Sequence, residues 1–325
     1  MRTTWLRIVL LLLLSSVAGA LHAATPGERT TAPHQLSGAE ANKGVVGIIA
    51  GGVNGTYIRI AADMATVLDT DSLRVLAIIG KGSVQNINDL LYLKGVDMAI
   101  VQSDVLEYLR RLETYKAIDK RIHYITKLYN EEFHLLASYQ INNPSDLGGR
   151  KVNFDVKGSG TSITASILFD TFKIPVEPTY YDQATALEKL KTGEIAALAY
   201  VAGKPAQLFE QITTTDKLHF VAIDHTPTLL ETYLPTRLTN QDYPRLIESG
   251  QEVKTIAVGA VLAVYNWERG SIRHQKTANF VNHFFNRFSE FQKPARHLKW
   301  QEVSLSAVIP GWTQFRPAQE WLQRP

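Results

Sequence analysis

The chain has 325 residues, of which 45% are hydrophobic and 20% are charged, and it contains no cysteine. This composition is typical of a globular protein with two domains and argues against a disordered chain or a coiled coil. The absence of cysteine excludes disulfides, thiolate nucleophiles and cysteine-ligated metals, and a formal net charge of only +3 gives no basic field for nucleic acid.

Residues 1–24 have the pattern of a secretory signal peptide. Arg2 and Arg7 accompany an apolar core at residues 8–14, which is too short to span a bilayer of about 30 Å. Small residues permit cleavage after Ala20, Ala23 or Ala24. Because no cysteine follows that could carry a lipid, the sequence predicts export to the periplasm without a lipid anchor. Residues 25–42 are polar and lack periodicity, and they are predicted to be a flexible leader.

The first predicted strand, residues 45–50, runs directly into a glycine-rich loop at residues 51–57. A helix follows, with Ile60, Met64 and Val67 on one apolar face. Free backbone amides and the helix dipole favour an anion at such a helix start. The loop is therefore the first candidate binding element.

The same arrangement recurs at residues 74–104. A strand ends at Gly80-Lys81-Gly82, and the Ser83 hydroxyl has the right chemistry to cap the helix that follows. The next strand, residues 97–101, ends at Gln102-Ser103-Asp104. A strand, helix and strand of this length form a right-handed parallel crossover. Both polar loops then lie at the carboxyl ends of parallel strands, where open α/β sheets bind ligands.

A second lobe with the same design is predicted after two short strands at residues 124–129 and 133–139. A glycine loop at residues 158–162 precedes a helix. An apolar strand at residues 195–200 ends at the turn Val201-Ala202-Gly203-Lys204-Pro205. The repetition predicts a second α/β lobe similar to the first.

A long apolar segment at residues 255–265, interrupted by Gly259, is expected to return the chain to the first lobe. Trp300, Trp312 and Trp321 are expected to anchor the C-terminal tail to the body. The predicted division is residues 43–138 for the first part of lobe 1, 139–252 for lobe 2, and 253–325 for the return to lobe 1 with the tail.

A nucleotide-binding enzyme is one alternative. The loop at residues 50–55 is one glycine short of the dinucleotide fingerprint, because Ala50 occupies the tight-turn position. Asp69 or Asp71 would then be the candidate partner of a ribose. The missing glycine and the predicted export both disfavour this alternative.

A hydrolase is a second alternative, but the sequence contains no catalytic motif that supports it. No nucleophile elbow of the G-x-S-x-G type is present, and Ser159 is better explained as a loop hydroxyl. The nine histidines are scattered, without the paired spacing of a metal site, and His134 lies in an apolar run typical of a core histidine. No catalytic residue, metal or cofactor is predicted.

Several of these segments together resemble the TAXI family of solute-binding proteins, the extracytoplasmic receptors associated with TRAP transporters. The similarity runs from about residue 45 to residue 205 and is weaker up to about residue 291. The matching segments are Gly51 to Tyr57, Gly82 to Asn86, Asp97 to Asp104, Leu147 to Asn153, Gly158 to Thr161, and Tyr200 to Pro205.

The resemblance implies a type II periplasmic-binding-protein fold, with two lobes that are each a mixed sheet flanked by helices. It further implies a monomeric receptor that closes around a small ligand, often a carboxylate, and delivers it to TRAP-type membrane subunits. The positions that correspond to the family's pocket, with two lysines that depart from its pattern, are Gly52, Asn54, Gly55, Thr56, Tyr57, Lys81, Gly82, Ser83, Gln102, Ser103, Asp104, Ser159, Gly160, Thr161, Tyr200 and Lys204.

Three points stay open at the level of sequence. Lys81 and Lys204 are hypothesised to pair with an anionic group of the ligand, although exposed lysine is usually solvated. Tyr57 can be a wall of the pocket or a core residue. The protein can also be a receptor for a larger or apolar ligand that serves a sensor or an efflux system rather than an importer.

Overall fold

The computed structural model describes residues 37–112 and 115–324. The predicted signal peptide, and the predicted leader as far as residue 36, lie outside the described residues. Within the described ranges, no helix combines the length and the apolar character that a membrane crossing requires.

The described residues form a mixed α/β structure. The strands are β1 (Val45–Ile49), β2 (Arg74–Ile78), β3 (Met98–Gln102), β4 (Ile122–Ser138), β5 (Lys151–Asn153), β6 (Glu177–Thr179), β7 (Ala197–Ala202), β8 (Leu218–Phe220), β9 (Leu234–Thr239) and β10 (Glu252–Tyr265). The α-helices are α1 (Gly38–Ala41), α2 (Thr56–Leu68), α3 (Ser83–Tyr92), α4 (Val105–Arg111), α5 (Ile118–Arg121), α6 (Gly160–Phe172), α7 (Gln183–Lys191), α8 (Pro227–Leu230), α9 (Ile272–Asn286), α10 (Phe288–Phe291) and α11 (Arg316–Leu322).

Helix α1 is a single turn within the segment that was predicted to be a leader without structure. The Glu40 amide donates to the Ser37 hydroxyl at 3.2 Å, and the Ser37 amide donates to the Glu40 carboxylate at 2.8 Å. Reciprocal bonds of this kind satisfy amides that a helix start otherwise leaves open. This local capping explains a turn that has no hydrophobic periodicity.

The first lobe is built on the parallel strands β2, β1 and β3. β10 joins β3 in the antiparallel direction, and β4 then pairs with β10. Helix α2 buries Ile60, Met64 and Leu68 in a core that also contains Phe280 and Phe284 of α9. The 3.6-residue spacing of the apolar residues of α2 is what directs this face inward.

The second lobe is built on β7, β5 and β6, which are parallel to one another. β7 pairs in the antiparallel direction with the second half of β4, and β8 also pairs with β4. β9 pairs with the first half of β10. Two further hydrophobic clusters fill the space on the faces of this sheet, and they include Phe133, Phe169, Phe209 and Phe220.

β4 and β10 belong to both lobes, and they are the two chain crossings between them. Glu132 of β4 pairs with Ala257 of β10 and with Ala202 of β7. The sequence predicted two strands in this region, but the structure has one strand of 17 residues. Glu131 and Glu132 interrupt the apolar pattern and so suggest a break, yet both side chains are buried within the continuous strand.

The architecture agrees with the predicted fold class, which is α/β with two lobes and flanking helices. The described strands form one mixed sheet of ten strands, however, because β4 and β10 continue from one lobe into the other. The edge strand β9 was not predicted, because Pro235 and Arg237 obscure its pattern. The division of the chain at residues 138 and 252 stays a prediction.

Candidate ligand-binding site

A cavity of about 350 Å³ lies where the glycine loops of the two lobes meet. The loops that follow β1, β2, β5 and β6 contribute to its wall, together with residues of strands β3, β4 and β7. Twelve of the predicted site residues line this cavity: Gly52, Asn54, Gly55, Thr56, Tyr57, Lys81, Gly82, Gln102, Ser159, Gly160, Thr161 and Tyr200. The cavity therefore brings together predicted residues that are up to about 150 positions apart in sequence, as the strand-end argument requires.

Four predicted residues do not line the cavity. Ser83 is buried beneath it, where its hydroxyl accepts a hydrogen bond from the Gln102 amide at 2.9 Å. The Ser103 carbonyl accepts a hydrogen bond from Trp312 Nε1 at 2.9 Å. Asp104 and Lys204 form contacts elsewhere, which are described below.

Lys204 is used by the second lobe itself. Its Nζ donates to the Arg237 carbonyl at 2.7 Å and to Asp242 Oδ2 at 3.0 Å. Lys81, in contrast, is exposed and lies at the wall of the cavity. The geometry leaves Lys81 as the lysine that is placed to meet a ligand.

The cavity also contains polar residues that the sequence argument missed, namely Glu131, Asp155, Asp182 and Gln183. Two adjacent glutamates within an apolar strand were a visible signal for Glu131. Asp155 lies two residues after the end of β5, so the strand-end rule also applies to it. Asp182 lies three residues after β6 and caps the helix that begins at Gln183, so the same rule applies there.

Helix α2 presents an uncapped N-terminus to the cavity. Its N-cap residue is Gly55, and no side chain caps it. An α-helix leaves its first amides without internal partners, and the helix dipole adds positive potential there. The start of α2, lined by Thr56 and Tyr57, can therefore bind an anionic or carbonyl oxygen.

Helix α3 differs from α2 because amides in its first turn already have hydrogen-bond partners. This corrects the expectation that the glycine-loop helix starts, those of α2, α3 and α6, all offer free amides to a ligand. The Val84 and Gln85 amides donate to the Gly158 carbonyl at 3.1 and 3.3 Å. At α6 the Ser159 hydroxyl accepts a hydrogen bond from the Ser162 amide at 3.2 Å. These amides of α3 are therefore bonded to the other lobe, and the start of α6 is capped by its own Ser159.

The two lobes touch directly beside the cavity. A Cβ atom at Gly160 would overlap the side-chain amide of Gln102 and lie 2.8 Å from the Ser83 hydroxyl. Gly82, with φ of +106°, sits against Ser159 and Gly160. Only glycine allows the backbones to approach this closely. The structure is therefore a closed arrangement of the lobes around the cavity.

Tyr57 has both of the roles that were left open, because its ring packs in the core while it lines the cavity. Its hydroxyl donates to Glu131 Oε2 at 2.6 Å. Burial, the largest effect, raises the pKa of Glu131 to about 8, although the hydrogen bond from Tyr57 opposes this. Burial also raises the pKa of Asp155, to about 6.

Asp104 connects the lobes away from the cavity. Its Oδ2 accepts hydrogen bonds from Thr164 Oγ1 and Tyr233 Oη, each at 3.3 Å. Its Oδ1 is buried without a hydrogen-bond partner among the described residues. Burial therefore raises the pKa of Asp104 to about 6, against the lowering effect of the two hydroxyls.

A buried ion pair holds the C-terminal tail against the crossing strands. Lys299, only 1% exposed, places its Nζ 2.9 Å from Glu132 Oε1 and 2.7 Å from Glu302 Oε1. The Lys204 amide donates to the other oxygen of Glu132 at 2.9 Å. Glu132 thus joins β4, the tail and the turn after β7.

The three tryptophans of the tail anchor it as expected. Trp300 is fully buried, and its Nε1 donates to Asp63 Oδ2 at 2.9 Å. Trp321 packs edge-on against Phe285, and Trp312 bonds the loop after β3. Aromatic anchors of this kind contribute large buried areas.

His134 is a core histidine, as its apolar run indicated, and Asp69, the candidate ribose partner, has a structural contact. His134 is fully buried, with Nδ1 3.2 Å from the Tyr200 carbonyl and Nε2 2.7 Å from the Tyr243 hydroxyl, and burial lowers its pKa to about 3. Asp69 accepts a hydrogen bond from the Val75 amide at 2.9 Å. In the ranges that the structure covers, no cluster of three His, Cys, Asp or Glu residues could hold a metal.

Comparison with known proteins gives consistent results. The model of the NMT1-like family matches residues 48–277, which is more than half of the chain. The solved structure of the periplasmic binding protein BugD has a TM-score of 0.54 and 13% identity, and covers 82% of this chain and 90% of its own. The structure of a periplasmic transporter gives the same score and identity, with 85% and 90% covered. At this identity the likeness shows the shared fold, a two-lobed α/β periplasmic-binding fold.

Proposed function

Because this chain belongs to the NMT1-like family, we propose that it is a periplasmic receptor that captures a small solute between its two lobes. The observation that carries the proposal is the cavity of about 350 Å³ enclosed by glycine loops from both lobes. This volume lies near the lower end of the range for small-molecule sites. Capture needs no chemical step, and we assign none.

Closure of the lobes is the proposed working motion. The hydrogen bonds from the Val84 and Gln85 amides to Gly158 join the lobes in the closed arrangement, and separation of the lobes would break them. β4 and β10 are the two connections about which such a motion would occur. A ligand that contacts both lobes favours the closed population, because it binds that population more tightly.

We propose that the ligand carries a carboxylate and that the start of α2 binds it. The support is the uncapped N-terminus at Gly55 together with the exposed ammonium of Lys81 at the same cavity. Backbone amides at a helix start bind an anion without a dedicated arginine. The proposed ligand-binding residues of this subsite are Gly52, Asn54, Gly55, Thr56 and Lys81.

We propose a TRAP-type transporter as the partner, on the basis of the resemblance to the TAXI family. The alternative is a larger or apolar ligand delivered to a sensor or an efflux system. Most of the lining surface is apolar, but the modest volume of the cavity and its four charged side chains, Lys81, Glu131, Asp155 and Asp182, favour a small ligand with polar groups. The class of the membrane protein that receives the ligand, transporter or sensor, distinguishes the two alternatives.

The first experiment is thermal unfolding of the mature protein against a panel of organic acids, amines and apolar metabolites. The protein is unfolded and refolded beforehand, which removes any ligand that it carried through purification. At about 100 times the dissociation constant, a ligand stabilises the folded protein by about 2.7 kcal/mol. A rise with carboxylates supports the proposal, a rise with apolar compounds alone contradicts the carboxylate part, and no rise with any class contradicts the receptor.

The transporter is tested separately with TRAP-type membrane subunits in proteoliposomes. Uptake of the stabilising compound that depends on this protein supports the proposed partner. Binding without any uptake contradicts it and favours a sensor.

A further inference from the structure

Three side chains that can accept hydrogen bonds line the same cavity. We propose that Glu131, Asp155 and Gln183 form an acceptor subsite that binds a protonated nitrogen of the ligand, an inference that rests on the proposed solute-receptor function. The ligand would then carry an ammonium group or a similar cation in addition to any carboxylate. Each of the three side chains contributes a separate observation.

Gln183 supplies an acceptor that has no partner. Its Nε2 donates to the Ala199 carbonyl at 2.9 Å, which fixes the orientation of the side-chain amide. Its Oε1 is buried without a hydrogen-bond partner among the described residues, although the side chain lines the cavity. A buried acceptor that stays unpaired destabilises the protein, because it has lost its hydrogen bonds to water. A donor on the ligand would remove this destabilisation.

Glu131 supplies a carboxylate that is only partly used. It is 3% exposed and lines the cavity from β4. In the part of the chain that the structure describes, the Tyr57 hydroxyl is the only side chain that donates to it. An ionised carboxylate can accept several hydrogen bonds. The second oxygen of Glu131 is thus available to a donor that enters the cavity.

Asp155 is held toward the cavity by an uncommon backbone conformation. Its φ of +62° lies in the left-handed region, which residues other than glycine rarely adopt. Such conformations concentrate at functional sites, where the surrounding structure maintains them. Asp155 lines the same cavity as Glu131 and Gln183.

The charges around the cavity favour a cationic group over a purely anionic ligand. Among the described residues that line it, Glu131, Asp155 and Asp182 are acidic and Lys81 is the only basic side chain. Lys81 is exposed, so solvent screens it, whereas Glu131 is buried. A cationic group beside Glu131 would pair with its ionised form, whereas a ligand with no positive charge offers the buried carboxylate no such partner.

The ionisation of Glu131 provides a second measurable effect of ligand binding, the release of a proton. The titratable groups that interact with it are Tyr57, Tyr129, Tyr200, Glu132, Lys299 and Asp104, and the pKa of Glu131 is raised chiefly by burial. A cation beside Glu131 favours its ionised form. Binding of an ammonium group near neutral pH is therefore expected to release a proton from the protein.

The test compares matched compounds on the stripped protein: 4-aminobutyrate with butyrate, alanine with propionate, and putrescine with butane-1,4-diol. The amine of a binding pair is expected to have a dissociation constant at least tenfold lower than that of its nitrogen-free counterpart. If another compound of the panel binds best, that compound is compared with its own nitrogen-free analogue. Equal or tighter binding of the nitrogen-free compounds contradicts the proposed acceptor subsite but does not contradict the proposed receptor function. If no compound of any class binds, both proposals are contradicted.

Two variants test whether the preference for the amine comes from Glu131 and Gln183. Glu131→Gln and Gln183→Met are each expected to reduce the preference for the amine about tenfold, and Glu188→Gln, on an exposed face of α7, serves as the control. Calorimetry in two buffers of different ionisation enthalpy measures the released proton, which Glu131→Gln is expected to abolish. An unchanged preference in both cavity variants would overturn the proposal.

Discussion

The carbonyl oxygen of Gly158 accepts a hydrogen bond from the backbone amide of Val84 at 3.1 Å, so a glycine loop of the second lobe caps a helix of the first. This bond, together with the one from Gln85, uses amides that would otherwise remain open at the start of α3. The separation of the lobes would expose these amides to water. Lobe closure and the capping of α3 are therefore one event.

Gly160→Ala is predicted to block closure while leaving each lobe folded. The new methyl group would overlap the side chain of Gln102, which is 1% exposed and has little room to move away. The clash is between lobes, so an open protein avoids it. Small-angle scattering should show a larger radius of gyration for the variant than for the wild type.

Gly148→Ala is the matched control in the same lobe, because its backbone φ of −53° suits alanine and its nearest contact is at 3.5 Å. It should scatter like the wild type. A radius of gyration for Gly160→Ala equal to that of the control would show that the close approach does not govern closure.

Asp104→Asn is predicted to change the pH dependence of stability. The pKa of Asp104 is raised to about 6, so the folded state holds its proton more firmly than the unfolded state does. The wild type then loses stability as the pH rises from about 4 to about 6, up to about 3 kcal/mol. Asparagine does not ionise, and the variant should gain relative stability across this window. Urea unfolding between pH 4 and pH 7 measures the difference.

Asp146→Asn is predicted to have the opposite effect on the pH dependence of stability, so this variant should lose stability relative to the wild type above the usual pKa of aspartate. Backbone amides of Asn143 and Asn142 lower the pKa of Asp146, so its contribution is present above its usual pKa and is lost as the pH falls. Parallel pH profiles for wild type and Asp104→Asn would contradict the account of Asp104.

Lys299→Met is predicted to destabilise the protein by about 3–5 kcal/mol, because it leaves the buried carboxylate of Glu132 without its cation. Adding Glu132→Gln should restore part of the loss, since no buried charge then remains unpaired. Lys293→Met removes an exposed ion pair with Glu290 and should cost less than about 1 kcal/mol. Urea unfolding at pH 7 compares the three variants, and equal costs for the two lysines would refute the buried-pair argument.

Lys81 and Lys204 are predicted to differ in their effect on binding. Lys81→Ala should raise the dissociation constant of an anionic ligand a few-fold and flatten its dependence on salt, because the ammonium lies at the cavity and is exposed. Lys204→Ala should leave affinity unchanged and lower stability by about 1 kcal/mol through the lost pair with Asp242. Titrations at two salt concentrations test both, and a salt-dependent loss in Lys204→Ala would reverse the assignment.

The glycine loops made much of the cavity predictable from sequence. A strand followed by glycine and a helix start determines where the backbone turns, and Gly52, Gly82 and Gly160 all reached the cavity on this argument. The fold class followed from the same repetition. What the pattern could not give is which helix start is open, because the capping of α3 by Gly158 is a contact between distant segments.

The acidic wall was missed for a physical reason as well. Glu131 lies on a strand that continues through both lobes, and its hydrogen bond comes from Tyr57, 74 residues away, so local periodicity does not indicate it. Lys204 was expected at the site because its turn matches the resemblance to the TAXI family. The salt bridge to Asp242, 38 residues later, directs it away and has no local signature.

The most direct test of the whole account is the dissociation constant of the best stabilising compound for the wild type, Gly148→Ala and Gly160→Ala. The account predicts one bound molecule per chain and equal affinity for the first two, with affinity at least a hundredfold weaker for Gly160→Ala. Equal affinity in all three proteins would contradict the claim that the solute is held between the closed lobes.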